Sequence, residues 1–371
     1  MQVPFVPLPY DCPRSLRPRP AEDGGFSVVL PYRRRGLFFR SFAGEVPDVL
    51  RKWGTALLTA ALAISVAACG TNKDNGGVVK DPAQAAGDAK TGKEAASKRT
   101  TYPFTVKDSS GKEFTFAKAP ERIVSLSPTE TEVLFALGLG NKIVGVSNLD
   151  DYPEEAKSKP KMGNLQGNPE AIIAANPDVV FAGLSLNKNS VNKLNELKMN
   201  LFQTNPKTVD QAIERVLLFG QITDTQEQAE KIAEQMRKEK QQVVDALKSL
   251  KPEQRKNVYI EFSPGWTVGR GEFMDDLITL AGGVNVASDL EGWKQISEEK
   301  VIQSNPDVIF FAKAVPDLEK TIRGRSGWDK IAAIQANKVI GLDDNLLSRP
   351  GPRITKALAE MAKSIYPDLV K

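Results

Sequence analysis

The chain contains no histidine and only two cysteines, Cys12 and Cys69, among 371 residues. Without imidazole no Ser-His-Asp or Cys-His triad and no Cys/His zinc site can be assembled. Capture of bare zinc or manganese by imidazoles is excluded on the same ground. An excess of one charge is also missing: 50 Lys and Arg against 46 Asp and Glu leave a formal +4, which gives no reason to expect nucleic acid as a partner. The longest apolar run, Gly54 to Ala68, has roughly 15 residues where a membrane-spanning helix needs about 20. What remains, 41% hydrophobic and 26% charged, is ordinary globular sequence with enough chain for two core-bearing lobes.

That apolar run follows Arg51-Lys52 and ends in Val66-Ala67-Ala68-Cys69-Gly70. A basic start, an apolar stretch and small residues before a cut describe an export signal, so residues 49–68 are read as a segment that is removed. Cys69 directly after two alanines resembles the lipobox of bacterial lipoproteins, which implies that Cys69 becomes a lipid-bearing N-terminus on the outer face of the cell membrane. Cleavage there discards Cys12, and with Cys69 lipidated the folded part holds neither free thiol nor disulfide. Residues 1–48, with the Pro- and Arg-rich stretch Arg14 to Pro20, lie upstream of where such a signal begins. They are read as an untranslated extension, with initiation at Val49 or Leu50. A twin-arginine signal at Arg33-Arg34-Arg35 is disfavoured by Glu45 and Asp48, which interrupt the path to the apolar run. Residues 69–100, with Gly76-Gly77, Ala85-Ala86-Gly87 and scattered charge, bury too little to fold and read as a flexible tether.

The globular part opens with an alternating stretch, Tyr102 to Phe116, split by Ser109-Ser110-Gly111, which predicts a hairpin. Ile123 to Leu126 predicts a strand. Ser127-Pro128-Thr129-Glu130 then carries a helix-start signature in which Ser127 caps, Pro128 takes the first helical position and Glu130 completes a capping box. A stop at Gly138-Leu139-Gly140 and a strand at Ile143 to Val146 follow, and strand-helix-strand over this span predicts a parallel sheet. The chain then repeats itself: Asn168 to Phe181 recurs as Ser297 to Phe310. Each copy has a capping side chain, a short helix, an Asn-Pro-Asp turn and a β-branched run. A repeat this far apart predicts two lobes of related topology. Between the copies, Asp224 to about Leu250 lacks Gly and Pro and predicts one polar helix reaching close to 40 Å at about 1.5 Å per residue.

From about Ala119 onward these features together resemble the substrate-binding proteins of bacterial ABC importers for ferric siderophores and vitamin B12. The resemblance is carried by Glu121 to Pro128, Gly145-Val146, Asp151-Tyr152-Pro153, Asn176-Pro177-Asp178, Gly271 to Gly283, Trp293 to Ser297 and Arg349-Pro350-Gly351-Pro352-Arg353. It implies an α/β fold of two lobes with mainly parallel sheets: residues 101–222, a connecting backbone helix over 223–251, and residues 252–371. It also implies a monomer that works with a permease dimer and its ATPase, no resident cofactor or metal, and a metal chelate bound between the lobes.

The resemblance assigns Glu170 and Glu299, each the second residue of its helix, to arginine pockets on the two permease subunits. The helix dipole alone favours a carboxylate there by about 0.3–1 kcal/mol, so it is the duplication that supports docking. It places ligand contacts at Ser127, Thr129, Leu149 and Gln166 in the first lobe and at Trp266, Arg270, Trp293 and Arg349 in the second. Flanking glycines are expected to leave Arg270 free to reach out, and Pro350-Gly351-Pro352 to fix the direction of Arg349 and Arg353. Cleft arginines favour carboxylate or catecholate oxygens. Leucine at 149 and 165, where the B12 binders carry aromatic contacts, tips the choice from a corrinoid to a ferric siderophore, and haem lacks its commonest axial ligand.

Two other classes remain open. A carboxylate-based hydrolase would use Glu130 and Glu132 or Asp150-Asp151, but residues two apart on a helix diverge and adjacent Asp residues suit a solvated turn. A sensor lipoprotein without transport would lack neighbouring permease and ATPase genes.

Overall fold

A computed structural model describes residues 99–164 and 167–371. The readings on residues 1–98, Cys69 among them, and on Leu165 and Gln166 lie outside the described residues. Arg99 pairs with Asp224 at 2.6 Å, and the Thr100 backbone N–H donates a hydrogen bond to the same carboxylate at 2.8 Å.

The predicted hairpin forms as β1 (Phe104–Lys107) and β2 (Glu113–Phe116), antiparallel. Asp108 accepts the Ser110 and Lys112 amides at its turn, and Gly111 takes φ +85°. The first lobe follows as β3 (Ile123–Ser125), β4 (Ile143–Val146), β5 (Val179–Gly183) and β6 (Leu201–Thr204), all parallel. Its helices are α1 (Pro128–Ala136), α2 (Pro169–Ala174), α3 (Lys188–Glu196) and α4 (Val209–Thr223). Helix α5 (Gln226–Leu247) leads to the second lobe. There β7 (Lys256–Glu261), β9 (Gly283–Asn285), β11 (Val308–Ala312) and β12 (Val339–Leu342) form a second parallel sheet, with β8 (Trp266–Val268) and β10 (Trp293–Gln295) as an antiparallel ribbon beside it. Its helices are α6 (Phe273–Leu280), α7 (Glu298–Ser304), α8 (Leu318–Gly324), α9 (Ala332–Gln335), α10 (Asp344–Ser348) and α11 (Ile354–Ile365).

The lateral orders are β4-β3-β5-β6 and β12-β11-β7-β9, so the strands of each lobe, taken in chain order, lie in the same sequence, second-first-third-fourth. The order reverses between β3 and β5 and between β7 and β11, the places where open parallel sheets bind ligands beyond their strand ends. The repeat explains the identity of topology. Asn168 and Ser297 cap α2 and α7 through Ala171 N and Lys300 N, and Asn176 and Asn305 turn the chain at φ 44° and 39°. Asp178 accepts the Glu121 and Arg122 amides ahead of β3, and Asp307 accepts the Asn257 amide of β7. The Asn-Pro-Asp turn therefore stitches the third strand of each lobe to the first.

Side chains alternate between two apolar layers, as strands covered on both faces require. Val179 and Phe181, like Val308 and Phe310, enter one large core, whereas Val180 and Ile309 enter smaller outer cores. Helix α5 buries the single stripe Ala229, Ala233, Met236, Val243 and Leu247. Its 22 residues span about 33 Å, less than the reach expected from sequence: Asp224 in the left-handed region ends α4, so α5 starts two residues later, and α5 stops at Leu247, three residues before Leu250. Gly220 of α4 lies so close to α5 that an added Cβ would sit 2.4 Å from that of Ala229.

One local prediction is overturned. Ser127 occupies the N-cap of α1 and Pro128 follows it, but the Ser127 side chain makes no capping bond. It donates instead to Glu130, whose carboxylate turns inward to meet Thr204 and Arg215. A buried guanidinium draws that carboxylate more strongly than an amide at the helix start.

Candidate functional site

Two polar assemblies lie where the lobes meet. The first is a buried ionic lattice around α1. Glu130, 1% exposed, accepts from Arg215 Nη1 at 3.1 Å, and Arg215 Nη2 also donates to the Pro350 carbonyl of the other lobe. Burial pulls the Arg215 guanidinium below its ordinary pKa while Glu130 opposes the shift. Glu132, one half-turn on, takes Arg353 as a fork (Nε 2.9 Å, Nη2 2.6 Å) and Arg349 Nη1 at 3.1 Å. Arg349 also reaches Asp151 at 2.6 Å, and the Arg353 guanidinium lies 3.9 Å from the centre of the Tyr152 ring. The divergence expected of Glu130 and Glu132 is observed, and each meets a different cation.

The second assembly is an open cavity of about 440 Å³ lined by Lys207, Arg270, Gly271, Glu272, Glu291, Gly292, Trp293 and Lys294. Lys207 follows β6 in the first lobe and the rest belong to the second, so the cavity lies between the lobes. The β8–β10 ribbon forms its wall: Trp293 opposes Val268 in register and packs edge-on against Phe262 at 4.7 Å. Glu261, fully buried at the end of β7, accepts from Tyr259 (2.9 Å), Arg325 and the Gly265 amide, which holds the turn leading into Trp266. Lys207 Nζ bridges to Glu272 at 2.7 Å. Arg270 and Lys294 have no ion-pair partner among the described residues, and neither has Glu291, so beyond the Lys207–Glu272 bridge the cavity carries two cations and one carboxylate.

The residues singled out from sequence divide between these places. Arg270 and Trp293 line the cavity, and Trp266, half-buried, stands on the same face of the ribbon as Trp293. Ser127 and Thr129 are buried in and beside the lattice, and Leu149, 36% exposed, offers its carbonyl to Arg349 at 3.5 Å. Arg349 departs from the expectation of an open cleft cation. The Pro-Gly-Pro turn does fix it and Arg353, but toward Glu132. The glycines around Arg270 also have another role: a Cβ on Gly269 would stand 2.3 Å from the Leu290 carbonyl, so Gly269 permits close strand approach, and Gly271 takes φ +82°. Lys207, Glu272, Glu291 and Lys294 were not singled out from sequence. The rule that open sheets bind ligands beyond their strand ends would have flagged Lys207, three residues past the end of β6 at Thr204.

Glu170 and Glu299 are both exposed, each at the second position of its helix, and neither has a hydrogen-bond or ion-pair partner among the described residues. In the loop after β4, Asp150 is 3% exposed and accepts from Ser147 Oγ, with its Oδ1 unpartnered. Burial pushes its carboxyl up to about 6 against the Ser147 and Thr131 hydroxyls and Lys161. Among the described residues no cluster of three or more Asp, Glu, Cys or His can hold a metal ion, and no helix is long and apolar enough to cross a membrane. What the cavity offers chemically is complementarity to an anion with a flat or apolar flank, from Lys207, Arg270 and Lys294 set against Glu272 and Glu291 and from an indole.

Comparison with known proteins agrees with this architecture. A family model described as periplasmic binding protein matches residues 123–346. The chain is 31% identical over 326 residues to an uncharacterized ABC transporter substrate-binding lipoprotein, YvrC, of Bacillus subtilis, covering 86% of this chain and 98% of the relative. Among solved structures, a possible iron-binding (periplasmic solute-binding) protein from Staphylococcus epidermidis is 31% identical with a TM-score of 0.59, covering 67% of this chain and all of that one. The periplasmic vitamin B12 binding protein BtuF of Vibrio cholerae is 28% identical with a TM-score of 0.58, covering 66% of this chain and 96% of that one. The chain belongs to the periplasmic binding protein family, the substrate-binding proteins of ABC transporters, which capture a ligand and are not enzymes.

Proposed function

We propose that this protein captures a ferric siderophore in the inter-lobe cavity and delivers it to an ABC permease, held at the outer face of the membrane by lipid on Cys69. The observation that carries the reading is the convergence of Lys207, Arg270 and Lys294 on one cavity walled by Trp293. Chelates built on catecholate or carboxylate groups present negative oxygens to such cations and a flat flank to the indole. The exposed glutamates Glu170 and Glu299 on equivalent helices, without partners among the described residues, suit a two-fold permease carrying arginine pockets.

A corrinoid is the second reading, favoured by the likeness to the Vibrio cholerae protein. Leucine at 149, where the resemblance puts an aromatic contact of the B12 binders, weakens that option and leaves Trp266 and Trp293 of the second lobe. Titrating tryptophan fluorescence against ferric catecholate, ferric hydroxamate, ferric citrate, cobalamin and haem tests the choice. Saturable quenching by an iron chelate is expected; saturation by cobalamin alone would replace the siderophore reading. The permease contact is tested by the Glu170→Ala, Glu299→Ala pair, which should abolish uptake while leaving ligand binding intact. Normal uptake would refute it.

A further inference from the structure

Glu272 occupies the N-cap of α6, yet its side chain makes no capping bond; the Asp275 and Asp276 amides are taken by its carbonyl. Its carboxylate instead lines the cavity, 14% exposed, and holds Lys207 of the opposite lobe at 2.7 Å. Lys207 is the only cavity cation among the described residues engaged in this way; Arg270 and Lys294 stand open beside it. We infer that Glu272 is a charge gate: it occupies Lys207 as an internal competitor, so that only a ligand anionic enough to displace it gains the third cation.

The inference rests on the capture reading and adds a specificity residue to it. A chelate carrying net negative charge takes over Lys207 and releases Glu272. A neutral chelate leaves the bridge closed and binds through Arg270, Lys294 and the indole alone. Because the bridge is partly exposed its own strength is modest, so the gate grades affinity and does not block entry. Neutralising Glu272 both frees Lys207 and removes a like charge from beside the ligand, which together should tighten an anionic chelate about five- to tenfold at low salt.

The test is a titration of the wild type, Glu272→Gln, Lys207→Gln and the double variant with a ferric tricatecholate and with an uncharged ferric trihydroxamate. Glu272→Gln should tighten the tricatecholate about five- to tenfold and change the trihydroxamate less than about twofold. Lys207→Gln should weaken the tricatecholate, and the gain from Glu272→Gln should shrink in its presence, since the two residues act on one another. Equal effects on both chelates, or no tightening, would overturn the gate. Should the wild type bind no ferric chelate, the capture reading fails by itself. Metal-free citrate then reads the gate: tighter citrate binding by Glu272→Gln supports it, and equal binding overturns it.

Discussion

Replacing Glu132 by alanine removes one carboxylate and strands two guanidinium groups. Glu132 is 3% exposed and receives three hydrogen bonds from Arg349 and Arg353, whose side chains are only 10% and 19% exposed. Breaking a buried pair by deleting one partner costs about 3–5 kcal/mol, because the remaining charge keeps its desolvation and loses its compensation. Here Arg349 retains Asp151 at 2.6 Å and Arg353 retains the Tyr152 ring at 3.9 Å, which places the expected loss near the lower bound, about 3 kcal/mol. For a folded unit of this size each kcal/mol lowers Tm by about 2–4 °C, so a fall of about 6–12 °C is expected. Glu132→Gln, which keeps the shape and one acceptor, should fall by less. Calorimetry is the suitable assay because the lattice joins the two lobes: the wild type should melt in one transition, and Glu132→Ala should broaden or split it. A Tm within 2 °C of wild type would refute the reasoning, and equal losses for Ala and Gln would show that the charge of Glu132 alone carries the effect.

Asp150→Asn should stabilise the protein at neutral pH. Its carboxyl titrates at about 6 in the fold against 3.8 for the free group, so between those values the folded state binds more protons than the unfolded. Stability from Asp150 is therefore complete below about 3.8 and lost as pH rises through about 6, a difference of about 3 kcal/mol. The Asn variant should gain several degrees in Tm at pH 7.5 and nothing near pH 4; a pH-independent gain would refute the assignment. Gly220→Ala places a methyl group 2.4 Å from the Ala229 Cβ and should cost about 1–3 kcal/mol by forcing α4 from α5. Equal or higher stability in a urea melt would show that the helix pair can give.

The parts of the fold legible in sequence are those whose causes are local. In both copies of the repeat, the cap at 168 or 297, the Asn-Pro-Asp turn and the β-branched run act within a dozen residues, so strand and helix could be read directly. The ionic lattice was hidden because its partners are remote: Arg215 lies 85 residues from Glu130, and Arg353 lies 221 from Glu132. The same remoteness turned Ser127-Pro128-Thr129-Glu130 from a capping box into part of that lattice. Arg270 and Trp293, which the resemblance named as ligand contacts, both line the cavity. Lys207 and Glu272 were missed because a lysine and a glutamate carry no distinguishing mark until the fold brings them together.

The distribution of apolar side chains bears on how the lobes work as one receptor. Each sheet has its own outer core, but the inner faces of both sheets drain into a single cluster. Phe181 and Phe202 of the first lobe, Ala229, Ala233, Met236 and Val243 of α5, and Ile260, Met274 and Leu358 of the second lobe all belong to it. Domains joined by a polar contact move by default, whereas a large apolar interface resists motion. Here α5 is less a strap between two domains than the middle of one core, and the lattice at Glu130 and Glu132 fixes the lobes a second time. Opening by a large hinge would expose that core and strand its buried charges together. Under the proposed capture function, ligand entry is accommodated at the cavity itself, where the Lys207–Glu272 bridge is the partly exposed contact that can yield at low cost.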